Sequence, residues 1–154
     1  MIVRKMHPSE FDVTLNLFHY YRDEAIETVP EIEEEYDENS VIETIRLFTV
    51  NVNYCWFNLY DNQRPVGFIA GMASERLWNA NIIDAHIAFV YILESHRSMD
   101  NFRFLMKKFE EWSREIGARR MTGGDIGINP ERTKKLYEHF GFTPGVWLGK
   151  EIES

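Results

Sequence analysis

Cysteine is nearly missing from this 154-residue chain: Cys55 stands alone, so no disulfide can form within it. Long apolar runs are missing too, since no stretch of about 18 residues escapes a charge, and a membrane span is not expected. A basic surplus is absent: 17 Lys and Arg face 25 Asp and Glu, leaving a net charge of −8. With no basic stripe, nucleic acid is not an expected partner. The five histidines do not fall at metal-ligand spacings, so metal chemistry is not expected either. There is no internal repeat, linker or low-complexity tract.

What is present suits one domain over residues 1–154, long enough to bury roughly 70% of its unfolded surface. Eleven Phe, seven Tyr and four Trp supply material for a well-filled core. The opening Met1-Ile2-Val3-Arg4-Lys5 resembles a strand more than a signal peptide, and a reducing cytoplasm is the expected location. The charge is uneven. Residues 1–50 hold twelve acids against four bases, whereas 51–154 balance at thirteen each. The excess gathers at Asp23, Glu24, Glu27, Glu31, Glu33, Glu34, Glu35, Asp37 and Glu38, a field that attracts cations or simply coats a solvated loop.

Residues 2–6 read as a first strand. Ser9 is the expected N-cap of a helix carrying Phe11, Leu15 and Phe18 at helical spacing, with Asp12 at its third position. Ser40-Val41-Ile42-Glu43 reads as the capping box of a second, short helix. Residues 53–60 and 66–73 form a hairpin around the turn 61–65, followed by a loop at 74–81 containing Trp78. Residues 82–92 make an apolar strand that breaks into Glu94-Ser95-His96-Arg97-Ser98 and continues as a helix over 99–116. Phe102, Leu105, Met106, Phe109, Trp112 and Ile116 form that helix's apolar stripe, and Gly117 stops it. A strand over 120–126 follows. Asn129-Pro130-Glu131 then combines an N-cap, the favoured proline and an acid in the first turn. The helix it opens carries Leu136, Tyr137 and Phe140, ends at Gly141, and leads to a last strand over 142–152 bent at Pro144-Gly145. This order predicts an α/β (α+β) fold with a mixed sheet and helices on both faces, its ligands bound beyond the strand ends after Ile92 and after Gly127. His96 and His139 are expected at the surface.

Three segments resemble the GNAT superfamily of acyl-CoA-dependent N-acetyltransferases. They are Arg64-Pro65-Val66-Gly67-Phe68-Ile69-Ala70-Gly71, the strand-loop-helix over 82–116, and Ile128-Asn129-Pro130 through Tyr137-Glu138-His139-Phe140-Gly141-Phe142. The resemblance implies a mixed, mostly antiparallel central sheet of six to seven strands flanked by about four helices on both faces. It implies acetyl-CoA as co-substrate in an opening beside the central strand, with main-chain contacts around Val90, Tyr91 and Ile92. The family's phosphate loop, Q/R-x-x-G-x-G/A, falls on Arg97-Ser98-Met99-Asp100-Asn101-Phe102. Arg97 matches and Leu105 fits the apolar position after it, but Asp100 and Phe102 stand where the family has small residues. A glycine lets backbone approach a phosphate, and Asp adds a like charge. Arg97, Arg103 and the helix dipole would offset part of that charge.

Acetyl transfer to an amine requires a neutral amine, a polarised thioester carbonyl and a protonated leaving thiol. By resemblance Tyr137 is the general acid, Asn129 both caps its helix and contacts the pantetheine arm, and the acidic region forms a wall of the acceptor site. For the general base, Asp84, His86, Ala88 and Val90 share a strand face by alternation, and a histidine has a suitable ordinary pKa of ~6.5. His86 is the candidate on that face; Glu94, Asp125 and a chain of waters are its rivals. The acidic segment favours a cationic amine, such as a polyamine, a protein lysine or N-terminus, or an aminoglycoside-like amine. The alternative is a GNAT fold without catalysis, a binding or inhibitory module acting on a protein partner through its acidic surface. A homodimer is compatible with either reading.

Overall fold

The computed structural model describes residues 1–124 and 129–152. They form β1 (Ile2–Lys5), α1 (Phe11–Thr28), α2 (Glu31–Glu35), α3 (Glu38–Val50), β2 (Tyr54–Asp61) and β3 (Arg64–Arg76). The chain continues as β4 (Asn79–Ile92), α4 (Met99–Glu115), β5 (Ala118–Thr122) and α5 (Pro130–His139). The sheet order is β1-β2-β3-β4-β5, antiparallel as far as β4, with β5 parallel to β4. Parallel pairing requires a crossover, and α4 supplies it. The fold class is the expected one. The described residues contain five strands, not six to seven, and five helices.

Cross-strand register sorts the sheet into two faces. Trp56, Ala70 and Phe89 align on one face, as do Asn58, Phe68 and Tyr91. Phe18 of α1 stacks on Phe68 with ring centres 6.0 Å apart, and Trp56 lies 4.9 Å from Phe68. Phe48 of α3 closes on Trp56 at 6.2 Å. Each such ring removes 150–250 Å² from water, worth about 4–6 kcal/mol before ordering costs. The opposite face takes α4, whose buried stripe is Phe102, Leu105, Met106, Phe109 and Trp112. Helix α4 stops where Gly117 adopts φ +77°.

Several local expectations are corrected. Ser9 does not cap α1. His7 caps a short 3₁₀ turn over Pro8–Glu10, accepting from the Ser9 amide at 3.1 Å, while Glu10 returns to the His7 amide at 2.9 Å. Asp37, not Ser40, caps α3 by accepting from the Ser40 amide at 2.9 Å; its carboxylate also holds the Ser40 hydroxyl. Residues 74–81 are not a loop, because Ser74 and Arg76 find partners across the hairpin in His86 and Asp84, leaving only Leu77 and Trp78 at its tip. No strand forms over 142–152, where Pro144, Gly145 and Gly149 interrupt the apolar pattern and no ladder partner is aligned. His96 is half-buried, with Nε2 2.9 Å from Asp61. Strand β5 ends at Thr122; the expected residues 125 and 126 lie outside the described residues, as do Gly127 and Ile128.

A polar chain runs through the core from Trp56. Its indole N–H donates to Asn58 at 3.0 Å, and Asn58 donates to Thr14 at 2.9 Å and to Tyr60 at 3.3 Å. The Tyr60 hydroxyl donates to Glu10 at 2.6 Å, and Arg4 grips both Glu10 oxygens at 2.8 Å. The Arg4 guanidinium, with Tyr60 and the His7 amide, holds the Glu10 carboxyl down to about 2, against an ordinary 4.5. A depressed carboxyl stabilises the fold fully above its unfolded pKa and loses that contribution as pH falls through the folded value. The ceiling is about 3 kcal/mol, nearer 1–2 after screening at the half-exposed Arg4. Glu10→Gln therefore lowers the urea midpoint at pH 7, and the gap from wild type closes between pH 4.5 and 2. A gap constant with pH would contradict the assignment.

Candidate functional site

The site begins where two strands part. β5 pairs with β4 only from Ile83↔Ala118 to His86↔Thr122, yet β4 runs on to Ile92. Among the described residues, no strand pairs with 87–92 on the β5 side. The register between β3 and β4 also shifts here: Ala70 aligns with Phe89 and Gly71 with Ile87, leaving Ala88 as the extra residue of a bulge. The bulge breaks the expected alternation. Asp84, His86, Phe89 and Tyr91 fall on the α1 face, whereas Val90 shares the α4 face with Ala85, Ile87 and Ile92. Gly71 makes room for this, since a Cβ there would lie 2.3 Å from the His86 carbonyl oxygen and 2.4 Å from the Phe109 ring.

His86 occupies the fork. Its Nδ1 is 2.5 Å from the Thr122 hydroxyl of β5, and its Nε2 is 2.6 Å from the Ser74 hydroxyl of β3. Neither hydroxyl was singled out in the sequence, because Ser74 falls in the expected loop and Thr122 carries no motif. Asp84, two residues back on the same face, is 3% exposed. Arg76 binds it at 2.9 and 3.0 Å and Arg120 at 2.9 Å, and these guanidiniums hold its carboxyl below the ordinary value. Asp84 is thus committed to two arginines.

Tyr137 approaches the fork from α5. Its buried ring packs edge-on against Phe142 at 4.9 Å and Phe102 at 6.3 Å. A Cβ on Gly123 would lie 2.5 Å from that ring and 3.0 Å from its hydroxyl, so the tyrosine tip rests on the residue after Thr122. The structure therefore gathers His86 and Tyr137 around the end of β5. It does not bring Glu94 to them. Glu94 is exposed in the 3₁₀ turn over Glu94–His96, beyond Ile92, which is six strand residues or roughly 20 Å from His86. Asp125 lies outside the described residues.

At the far end of β4 the first turn of α4 is built as a cap. Ser98 accepts from the Asn101 amide at 3.1 Å, and the Asn101 side chain donates to the His96 carbonyl at 2.7 Å. Met99 and Asp100 fill the first two helical positions, whose amides have no partner within a helix. The two residues that depart from the glycine pattern have partners of their own. The Asp100 carboxylate is held by Arg103 at 2.6 Å, and Phe102 is buried against Phe140 at 5.4 Å. Arg97 donates to the Ile92 carbonyl at 2.8 Å and to Glu24 at 2.5 Å. Asn129 caps α5, accepting from the Arg132 amide at 3.3 Å.

Between α4, α5 and β5 lies a cleft of about 1480 Å³. Arg103, Lys107, Arg114, Arg119, Arg120 and Lys134 line it against only three carboxylates, Glu110, Glu131 and Glu138. Arg103, Arg114, Arg120 and Lys134 are paired with Asp100, Glu110, Asp84 and Glu138, while Lys107 and Arg119 make no ion pair among the described residues. In a chain of net charge −8 the cleft thus still offers cations to an anionic ligand. No helix among the described residues is long and apolar enough to cross a membrane. Those residues also hold no group of three or more His, Cys, Asp or Glu placed to bind a metal ion.

Residues 15–142 match the acetyltransferase (GNAT) family, and the chain belongs to it. Among the curated proteins no sequence matches. The solved structures it resembles include the tetramutant of the BH1408 protein from Bacillus halodurans, with a TM-score of 0.80 at 10% identity over 99% of this chain and 100% of that one. A ribosomal-protein-alanine N-acetyltransferase from Brucella melitensis biovar Abortus 2308 gives 0.73 at 13% identity, with full coverage of both chains. An aminoglycoside antibiotic 6'-N-acetyltransferase from Acinetobacter haemolyticus gives 0.71 at 12% over 99% of this chain and 100% of that one. At these identities the likeness speaks for the fold.

Proposed function

We propose that this member of the GNAT acetyltransferase family acts as one domain and moves an acetyl group from acetyl-CoA to a cationic primary amine. One observation carries the reading: β4 outruns β5 by six residues and leaves a polar strand edge open beside a cation-lined cleft. That opening fits a long ligand with amides in its arm and phosphates at its end. Main-chain groups of Val90, Tyr91 and Ile92 would pair with the arm. The first-turn amides of Met99 and Asp100, with Arg97 and Arg103, would hold the phosphates, and Ser98, Asn101 and Phe102 would shape that turn. Asn129 would steady the arm from α5.

When bound, acetyl-CoA supplies the activated acetyl thioester. His86 would take a proton from the acceptor ammonium on the α1 face, with Ser74 and Thr122 fixing the orientation of its ring. Tyr137 would give its proton to the departing thiolate from the α5 side, and the phenolate would recover a proton from the nitrogen once it has attacked. A main-chain amide near Val90 would polarise the carbonyl. The two proton-handling groups would thus approach the fork from opposite faces of the sheet, which keeps acid and base apart.

The acceptor class follows from charge placement. Four of the nine acids in the segment are already engaged: Asp23 by Arg22, Glu24 by Arg97, Asp37 as a cap and Glu38 by His19 and Tyr36. Glu27, Glu31, Glu33, Glu34 and Glu35 make no ion pair among the described residues, and all five are exposed. They leave a negative field between α1 and α3, on the His86 side. The triple substitution Glu33→Gln, Glu34→Gln, Glu35→Gln is expected to raise KM for a polyamine about 5- to 10-fold with kcat unchanged, read as thiol released from acetyl-CoA. An unchanged KM would remove the cationic acceptor. No thiol release with any amine would remove the enzyme.

A further inference from the structure

We propose that Glu24 is a positioning residue that limits how tightly this chain holds the diphosphate of its acyl donor, by competing for the Arg97 guanidinium. The inference rests on acetyl-CoA being that donor.

Arg97 immediately precedes Ser98, the cap of α4, and its side chain reaches both β4 and α1. Nε donates to the carbonyl of Ile92, the last residue of β4, at 2.8 Å. Nη2 donates to one Glu24 oxygen at 2.5 Å, and the guanidinium lies 5.5 Å from the centre of the Tyr91 ring. The Tyr91 hydroxyl donates to the second Glu24 oxygen. Burial and the neighbouring carboxylate raise the Tyr91 pKa, so this hydroxyl stays a donor. Glu24 thus brings a carboxylate from the start of the acidic segment to the end of β4. A diphosphate arriving at the first turn of α4 meets a cation already neutralised and a carboxylate that repels it. Arg97 does not depend on Glu24 for its place, because the Ile92 carbonyl and the Tyr91 ring remain. Glutamine at position 24 can still accept from Tyr91 but carries no charge.

The test is calorimetric titration with CoA and with pantetheine, which lacks the diphosphate, with circular dichroism to confirm folding. Glu24→Gln is expected to tighten CoA about 3- to 10-fold and leave pantetheine within about twofold. The gain should shrink in 0.5 M salt and vanish when Arg97→Gln is added. Tyr91→Phe leaves the Glu24 charge to Arg97 alone, so CoA binds equally or more weakly. This second variant keeps the test decisive if the first does not fold. Unchanged or weaker CoA binding by Glu24→Gln, an equal gain for pantetheine, or tighter CoA binding by Tyr91→Phe would overturn the proposal. If wild type binds CoA but the variants behave so, only the role of Glu24 falls. If wild type binds neither ligand, the donor falls with it.

Discussion

Tyr137→Phe is expected to lower kcat for acetyl transfer by about 100-fold or more, with the Kd for acetyl-CoA staying within about twofold. The substitution removes one oxygen from a ring already buried by Phe102 and Phe142, so the ring packing is kept while the hydroxyl is lost. A tyrosine that merely fills the core would give a different pattern: a lowered melting temperature with kcat nearly unchanged. Stopped-flow thiol release, paired with a thermal melt of the same sample, separates the two. Gly123 offers a second approach to the same residue. Any Cβ there would push the phenol from its place, so the ring position depends on a glycine that the family motif does not mark.

The second large effect is structural. Gly71→Ala is expected to cost about 3 kcal/mol, lowering the midpoint of thermal unfolding by about 6–12 °C. The new methyl would meet a main-chain oxygen of β4 and the ring of Phe109, which is fully buried. Neither can step aside without moving the bulge at Ala88 or lifting α4. Gly145→Ala is the control, because a Cβ there meets nothing within 4 Å, and it should stay within about 0.5 kcal/mol of wild type. Equal melting temperatures for the two variants would mean that the bulge does not rely on this contact.

The parts of the fold legible in the sequence are those whose cause is local. The α4 stripe follows from helical spacing, the α5 start from Asn129-Pro130, and the order of elements from the alternation of apolar runs and turns. The bulge at Ala88 was not legible, because an extra residue in a strand leaves each neighbour's composition unchanged and only its pairing shifted. That one residue moved Val90 from the His86 face to the other. The caps failed for a related reason. Ser9 and Ser40 are good caps by type, but His7 and Asp37 stand two and three residues earlier and already have partners in reach. The strand expected over 142–152 needed a neighbour that its sequence could not supply.

Of the candidate site, the sequence points to residues around the fork and the first turn of α4, but not to their partners. Glu24 lies 73 residues before Arg97, and Thr122 lies 36 after His86. Only the fold brings them together. The two residues that depart from the glycine pattern also needed the structure. Asp100 pairs along the helix with Arg103, and Phe102 is buried against α5.

The central claim is that the fork between β4 and β5 holds acetyl-CoA despite that loop. Calorimetric titration of acetyl-CoA into the purified wild-type chain tests it most directly. A single site with micromolar affinity, weakened about tenfold or more by Arg97→Ala, is the expected result. Absence of binding to a folded protein would contradict the account and turn attention to the acidic face as a surface for a basic protein partner.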